Sequence, residues 1–107
     1  KIPEKIKVIE PTGFLDFLQL EMNSKLIITD SGGVQEESCI LKIPCVTLRD
    51  NTESPETLKI GCNILAGAEP KKILECVDIM YNKDRSWEQP YGDGKSAEKI
   101  LDIIQNI

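Results

Sequence analysis

The sequence predicts an α/β fold in which helices cover both faces of a short parallel sheet. Short apolar segments alternate along the chain with segments whose apolar residues recur at helical spacing. The strand candidates at residues 26–29 and 45–48 are almost wholly apolar instead of alternating with polar residues. Such runs are typical of parallel strands that are buried on both faces.

Prolines and glycines mark several boundaries of the predicted elements. Gly13 and Gly61 lie next to helix ends, whereas Pro44, Pro55 and Pro70 open elements, where a missing N–H is tolerated. In order, the elements are a strand at 6–9, a helix at 13–22, a strand at 26–29, a helix at 34–41, a strand at 45–48, a helix at 55–59, a strand at 63–65, a helix from Pro70 through Tyr81, and a last helix over 97–107.

Apolar residues share one face of each long predicted helix. The members are Phe14, Leu15, Leu18 and Met22 in the first helix, Ile73, Leu74, Val77, Met80 and Tyr81 in the helix from Pro70, and Ala97, Ile100, Leu101, Ile104 and Ile107 in the last. The spacing predicts that the face of the Pro70 helix is core. Phe17 lies beside the first of these faces, so the pattern alone favours a core position for it as well.

Charge and cysteine content argue against several classes of protein. The net charge is −5, which does not suit a nucleic-acid-binding surface, and no apolar run approaches the ~20 residues of a membrane span. The four cysteines, Cys39, Cys45, Cys62 and Cys76, lack C-x-x-C spacing, and the chain has no histidine. We therefore expect buried free thiols, no metal, no cofactor, no membrane or nucleic-acid partner, and a cytoplasmic location.

A glycine pair at a predicted strand-to-helix junction is the first candidate site. The run from Thr29 to Glu37 reads Thr-Asp-Ser-Gly-Gly-Val-Gln-Glu-Glu. Unpaired N–H groups at a helix start attract anions, so Ser31, Gly32 and Gly33 could bind a phosphate. Glu37 lies about one turn further on and could accept hydrogen bonds from ribose hydroxyls. The alternative is an ordinary capped turn.

The loop after the next strand is the second candidate site. Arg49 is suited to a phosphate or carboxylate, and Asn51, Thr52 and Glu53 are suited to sugar hydroxyls. The carboxyl ends of parallel strands meet at one edge of a sheet, where ligands commonly bind. Both loops should therefore line one crevice, unless residues 49–53 form only a solvated loop with Arg49 paired to an acid.

The segment 92–96 resembles the end of a nucleotide-binding P-loop, with the sequence Gly-Asp-Gly-Lys-Ser. Gln89 stands where the first glycine of that motif belongs, and residues 84–88 are too polar for the buried strand that should precede it. We interpret Asp93 instead as the N-cap of the last helix.

Taken together, three motifs resemble the C-terminal part of the UDP-N-acetylglucosamine 2-epimerases. They are the run from Thr29 to Glu37, the segment Arg-Asp-Asn-Thr-Glu-Ser-Pro-Glu at 49–56, and Pro-Tyr-Gly-Asp-Gly at 90–94. Their order and spacing match over nearly the whole chain. Ser54 departs from the resemblance, since the family usually has an arginine there.

The resemblance implies a Rossmann-like three-layer α/β/α fold, with residues 1–107 as a single domain within the C-terminal half of a glycosyltransferase-B-type enzyme. That family interconverts UDP-N-acetylglucosamine and UDP-N-acetylmannosamine by eliminating and re-adding UDP, and it serves cell-surface polysaccharide synthesis. An absent N-terminal domain would supply the catalytic residues, so we expect no catalytic residue and no activity in this fragment. The intact enzyme is expected to be a homodimer.

The resemblance also implies roles for individual residues. Ser31, Gly32 and Gly33 would bind the diphosphate of a UDP-sugar substrate, Glu37 the ribose, and Phe17 the uracil region. A further set, Arg49, Thr52 and Glu53, would lie near the phosphates and the sugar. Two alternatives remain open, namely a stand-alone nucleotide-binding or regulatory module and one half of a related nucleotide-sugar transferase.

Overall fold

The computed structural model describes residues 4–91 and 96–105, and it confirms the α/β class. Three parallel strands form one sheet in the order β1-β2-β3. The elements in chain order are α1 (Phe14–Met22), β1 (Ile27–Thr29), α2 (Gly32–Ile40), β2 (Cys45–Thr47), α3 (Pro55–Ile60), β3 (Asn63–Leu65), α4 (Pro70–Tyr81) and α5 (Ser96–Gln105).

The central strand β2 fixes the register of the sheet and is buried at all three positions. Val46 lies opposite Ile28 of β1 and Ile64 of β3. The ladder continues past the strand ends, because the N–H of Leu48 donates to the Thr29 carbonyl at 2.8 Å. The chain segments that follow β1 and β2 therefore leave the sheet side by side at its carboxyl edge.

Successive residues of a strand point to opposite faces, and the two faces of this sheet carry different layers. On one face Val46 and Ala66 pack with Cys76 and Met80 of α4. On the other face Asn63 donates hydrogen bonds to Gln35 of α2 and to Thr57 of α3. The sheet is thus the middle layer of an α/β/α arrangement, as expected.

The four cysteines are buried and free, which confirms the expectation from their spacing. Cys39 and Cys62 pack with Trp87, whose indole N–H donates to the Cys39 carbonyl at 3.0 Å. Burial raises the pKa of Cys45 and Cys62, so both thiols stay protonated at neutral pH. Trp87 thereby anchors the stretch 82–91, which contains no helix or strand.

The predicted strand at residues 6–9 is wrong. This segment pairs with none of the three strands in the described part of the chain, and it exposes Ile6, Val8 and Ile9 by 58, 72 and 60%. Four residues with weak alternation form a strand only when a neighbouring strand accepts their backbone hydrogen bonds. Among residues 4–91 and 96–105, no strand lies beside them.

The first helix forms as predicted within one residue, but its apolar face is not core. Phe14, Leu15 and Met22 are 68, 75 and 53% exposed, and Glu21 is buried in their place. Phe17 is 38% exposed, so the core position that the pattern favours for it is also wrong. The buried side of the helix is the one that carries Glu21. The spacing of the apolar residues does not predict this side.

The later helices need smaller corrections. In α4 the packing face consists of Ile73, Cys76, Val77 and Met80, spaced i, i+3, i+4 and i+7. Leu74 and Tyr81 are exposed, contrary to the prediction, because they lie beside this face. The proposed N-cap Asp93 and the P-loop-like segment before Ser96 lie outside the described residues. Among the described residues, no helix has the length and apolar character needed to cross a membrane.

Candidate functional site

The amino end of α2 projects from the carboxyl edge of the sheet. The helix begins at Gly32, two residues earlier than predicted, with Ser31 as its N-cap. The Ser31 hydroxyl accepts the N–H of Val34 at 3.4 Å, and the Ser31 carbonyl accepts the N–H of Gln35 at 3.2 Å. Gly32 and Gly33 therefore form the first turn, where backbone N–H groups have no partner inside the helix.

These two glycines matter for the space around them and not for their backbone angles. Positive φ angles among the described glycines occur at Gly61 and Gly67. A Cβ atom on Gly33 would meet only the Ser31 hydroxyl, at 4.0 Å, so this side of the helix end is open. A Cβ on Gly32 would lie 3.2 Å from Oε2 of Glu53. The helix start thus has one open side and one side covered by a carboxylate.

The covering carboxylate comes from the loop that follows β2, and it is paired with an arginine. Arg49 donates to Glu53 through both terminal nitrogens, at 3.0 and 2.9 Å, and to the Asn51 side-chain oxygen at 3.1 Å. Hydrogen bonds from Arg49 lower the pKa of Glu53, so its carboxylate is ionised at neutral pH. A cation and an anion therefore stand together beside the start of α2.

Thr52, in the same loop, points inward. Its hydroxyl donates to the side-chain oxygen of Gln35 and accepts the N–H of Ser54 at 3.0 Å. Gln35 is fully buried in α2, and its oxygen also accepts from the Asn63 amide at 3.1 Å. Gln35 thus ties the loop after β2 to both α2 and β3, and the Thr52 hydroxyl is engaged in this framework.

The hydrogen-bond network around Gln35 extends through Asn63 to Thr47 of β2 and Thr57 of α3. Thr47 donates to the Asn63 side-chain oxygen at 2.6 Å, and the Asn63 amide donates to Thr57 at 3.1 Å. Beside it the Ser54 hydroxyl donates to Glu36 at 2.9 Å. Buried polar groups that are paired in this way hold their neighbours in one arrangement. The two loops of the candidate site are therefore fixed relative to each other.

Glu37 lies on the side of α2 that faces α1, and Phe17 belongs to α1 itself. Glu21 of α1 is 3% exposed and close enough to Glu37 for burial and the Glu37 charge to raise the pKa of Glu21 to about 7. Phe17 precedes Glu21 by one helical turn, so both project from the same face of α1. That face is the one next to α2, and Glu37 itself is half-buried.

The structure brings most of the predicted site residues to one place. Ser31, Gly32, Gly33, Arg49 and Glu53 meet at the carboxyl edge of the sheet. Thr52 lies behind them, while Glu37 and Phe17 lie further along α2 and on α1.

Sequence reasoning missed two functional candidates, Gln35 and Glu21. No local signal indicates the role of Gln35, because its partners are 17 and 28 residues away in the chain. Glu21 carries a weak signal, since an acid four residues after Phe17 occupies a position where an amphipathic helix would have an apolar residue.

A separate groove of about 600 Å³ lies between the N-terminal segment and α1. It is lined by Ile9, Thr12, Asp16, Gln19, Leu20, Asn23 and Ser24, none of which is a predicted site residue. Among the described residues, no cluster of histidine, cysteine or acidic side chains is arranged to hold a metal ion. The polar groups that the structure does place at the candidate site are the helix end, the arginine and the carboxylates.

Comparison with known proteins places this geometry in a family. The family model described as UDP-N-acetylglucosamine 2-epimerase matches residues 1–105. A UDP-N-acetylglucosamine 2-epimerase from Methanocaldococcus jannaschii is 60% identical over 104 residues, which are 97% of this chain and 28% of that protein. One from Methanococcus maripaludis is 60% identical over 99 residues, which are 92% of this chain and 27% of that protein.

A solved structure gives the same result in three dimensions. The M. jannaschii UDP-GlcNAc 2-epimerase in complex with UDP-GlcNAc and UDP superposes with a TM-score of 0.87 and 59% identity, covering 97% of this chain and 29% of that one. The chain thus spans a little over a quarter of the length of the relatives that it matches. It belongs to the UDP-N-acetylglucosamine 2-epimerase family.

Proposed function

We propose that this chain is the UDP-binding C-terminal portion of a UDP-N-acetylglucosamine 2-epimerase, with residues 1–107 as part of one domain. In this proposal the intact enzyme interconverts UDP-GlcNAc and UDP-ManNAc by eliminating UDP and adding it back on the other face of the sugar. The observation that carries the proposal is the open side of Gly33 at the start of α2, next to the Ser31 hydroxyl and across from Arg49.

The diphosphate is assigned to this open side. The first-turn N–H groups of Gly32 and Gly33 can donate to phosphate oxygens, and the positive end of the helix dipole favours the negative charge. The Ser31 hydroxyl is close enough to Gly33 to donate as well. Arg49 adds a full positive charge, but its guanidinium is paired with the Glu53 carboxylate. To bind the diphosphate, Arg49 must therefore either contact both groups or break its ion pair with Glu53.

The nucleoside is assigned to the side of α2 that faces α1. Glu37 follows Gly33 by one helical turn, so a ribose attached to the diphosphate could place both hydroxyls near its carboxylate. Phe17 has an exposed ring surface on the neighbouring face of α1, and an aromatic ring of this kind can stack on uracil.

Within the elimination reaction, these residues stabilise the leaving group. Breaking the bond between the sugar and UDP leaves extra negative charge on the diphosphate, which the helix end and Arg49 are placed to offset. The step also needs a base for the sugar C2 proton. We assign that base to a part of the enzyme outside this chain, so the isolated chain should bind UDP weakly and not turn over.

Exposed apolar surface supports the idea that more of the protein packs against this chain. Leu101, Ile103 and Ile104 of α5 are 57, 66 and 59% exposed. Patches of this kind on one amphipathic helix commonly mark an interface with another domain or chain. A missing N-terminal domain is the partner that the proposal assigns.

The test is a titration of the chain with UDP, followed by amide chemical shifts. We expect shifts at residues 31–37 and at Phe17, and their loss in Gly33→Asp, because the new carboxylate occupies the open side of the helix start and repels phosphate. The matched control is Gly13→Asp, which adds the same charge at the N-cap of α1, where a Cβ has no atom within 4 Å.

Three results would count against parts of the proposal. If millimolar UDP produces no shift in this chain or in a longer gene product that includes it, the nucleotide role is refuted. If Gly33→Asp binds UDP as well as the Gly13→Asp control does, the diphosphate does not lie at the start of α2. Epimerase turnover by the isolated chain at the rate of an intact enzyme would refute the assignment of the base to another part of the protein.

A further inference from the structure

Glu21 is a buried carboxyl group to which the proposed function gives no role. Its side chain leaves the last turn of α1 and is 3% exposed, and neither carboxyl oxygen accepts a hydrogen bond from a donor among the described residues. An ionised carboxylate without a partner is strongly disfavoured out of water, so such a group retains its proton instead. Burial, and then the charge of Glu37, accordingly raise the pKa of Glu21 to about 7.

The groups that face Glu21 from the neighbouring elements are few. Two titratable groups that interact electrostatically with Glu21 are Glu37 from α2 and Cys45 from the start of β2. Burial raises the pKa of the Cys45 thiol, so Cys45 is neutral at physiological pH. Glu37 is therefore the charged neighbour, and its carboxylate is the strongest hydrogen-bond acceptor available to a protonated Glu21.

We propose that protonated Glu21 is a positioning residue that donates a hydrogen bond to Glu37 and holds the Glu37 carboxylate in place for the ribose hydroxyls of the nucleotide. This inference rests on the proposed function, which assigns the ribose to Glu37. An ionised carboxylate has about four acceptor sites, so one bond from Glu21 leaves enough for two hydroxyls. The pair joins α1 to α2 and so also sets the position of Phe17.

The pair makes ribose recognition dependent on pH. When Glu21 loses its proton, the donor disappears and two negative charges lie side by side, so Glu37 is repelled from its position. We expect the affinity for UDP to fall by roughly three- to tenfold from pH 6 to pH 8.5, the range typical of one lost hydrogen bond. A nucleotide without ribose hydroxyls should not show this fall.

The first experiment measures the carboxyl groups directly, without nucleotide. Side-chain carboxyl carbons are followed by NMR from pH 4 to pH 9 in the wild type and in Glu21→Gln. We expect one glutamate to titrate near pH 7, the value to which the pKa of Glu21 is raised, and this transition to be absent from Glu21→Gln. A Glu21 midpoint at the ordinary value of 4.5 would overturn the inference.

The second experiment compares UDP with 2′,3′-dideoxyuridine diphosphate at pH 6 and pH 8.5. Glu21→Gln retains a donor that cannot ionise, so the ratio of its affinity for UDP to its affinity for the dideoxy analogue should be the same at both pH values. Glu21→Met has a similar length and no donor, so it should bind UDP weakly at both. Glu75→Gln removes an exposed carboxylate on α4 and should behave as the wild type does. Ionisation of the ligand itself is common to all variants and cancels in the comparison.

The outcomes separate this inference from the proposed function. The positioning role would be overturned if Glu21→Met bound UDP as tightly as the wild type does at pH 6. It would also be overturned if the wild type lost affinity for UDP and for the dideoxy analogue equally between pH 6 and pH 8.5. The absence of UDP binding in every variant would refute the proposed function and the ribose role of Glu37 with it. An equal ratio of the two affinities at both pH values in Glu21→Gln, together with weak binding of UDP by Glu21→Met, supports the inference.

Discussion

The carboxylate of Glu53 lies directly against Gly32, so that a Cβ on this glycine would be 3.2 Å from Oε2. Gly32 is the first residue of α2, where the helix dipole attracts negative charge. Glu53 thus stands beside the open side of the helix start, where the proposed function puts a diphosphate, and it also pairs with Arg49. Its negative charge would therefore repel a diphosphate bound there.

From this relationship we predict that Glu53→Gln raises the affinity for UDP. The substitution removes a negative charge next to the diphosphate and releases Arg49 to bind it, so we expect roughly two- to fivefold tighter binding at low salt and less at high salt. Thermal stability should hardly change, because an exposed ion pair contributes little. Isothermal titration against UDP at two salt concentrations measures the effect.

Glu75→Gln is the control for the Glu53 variant, because it makes the same charge change on the far side of the sheet. If both variants improve UDP binding equally, the gain reflects net charge and not the position of Glu53. With a UDP-sugar in a longer protein the gain should shrink, since a carboxylate at position 53 is also suited to hydrogen-bond the sugar hydroxyls. Weaker UDP binding by Glu53→Gln in this chain would contradict the prediction.

The turn after β3 supports the loop that carries Arg49. Gly67 has a φ of +64°, and a Cβ there would be 2.8 Å from Oδ1 of Asp50. The N–H of Gly67 donates to the Arg49 carbonyl at 3.2 Å. Gly67→Ala should therefore lower the free energy of unfolding by about 1–3 kcal/mol, since the added methyl is strained and also displaces Asp50.

Urea denaturation of Gly67→Ala beside Gly33→Ala tests this prediction. Gly33 lies in a helix with open space around it, so alanine there should leave the free energy of unfolding unchanged or raise it by up to about 1 kcal/mol. Gly67→Asn should be milder than Gly67→Ala in its backbone strain, because asparagine tolerates a left-handed conformation better. Equal stability of the two alanine variants would exclude the strain argument.

Gln35 holds the site loop from behind, and its removal should loosen that loop. Its side-chain oxygen accepts from Thr52 and Asn63, so Gln35→Met leaves two polar groups short of a partner while retaining the side-chain length. We expect the free energy of unfolding to fall by about 2 kcal/mol. Amide hydrogen exchange should accelerate most in residues 49–54, which depend on this anchor.

Gln19→Met is the control for Gln35→Met, because Gln19 lies on α1 and lines the separate groove. It should change neither the stability by more than about 0.5 kcal/mol nor the exchange of the site loop. Uniform acceleration of exchange across the whole chain in Gln35→Met would indicate general destabilisation. That pattern would contradict a specific role for Gln35 in holding the loop.

The sequence predicts best those parts whose causes are local. The junction at Ser31 and the first turn of α2 depend on a cap and two glycines within four residues, and Gly61 ends α3 with the left-handed φ of +89° expected of such a residue. The strand β3 forms at its predicted residues. In each case the neighbouring residues already contain the physical reason.

The parts that could not be predicted depend on distant partners. Residues 6–9 have some strand character but no strand beside them, so they stay exposed. Gln35 acquires its role from Thr52 and Asn63, which only the fold brings near. Glu21 is buried although α1 has apolar residues to spare, and its neighbour Glu37 comes from another helix, 16 residues further along the chain. Local pattern does not encode these contacts.

Glu21 should also make the stability of the chain depend on pH, and in the direction opposite to a salt-bridged acid. Its pKa rises from 4.5 to about 7 on folding, so the folded state binds more protons between these values and stability falls as pH increases through this range. The carboxyl lies only just beneath the surface, so solvent screening limits the loss to about 1–2 kcal/mol. Glu21→Gln should abolish this pH dependence, and it should be more stable than the wild type at pH 8. Glu75→Gln should retain the pH dependence and the stability of the wild type. Urea midpoints of the three proteins at pH 5 and pH 8 measure this change in stability. If the wild-type midpoint does not decrease from pH 5 to pH 8 relative to that of Glu21→Gln, the pKa of Glu21 is not raised in the folded chain.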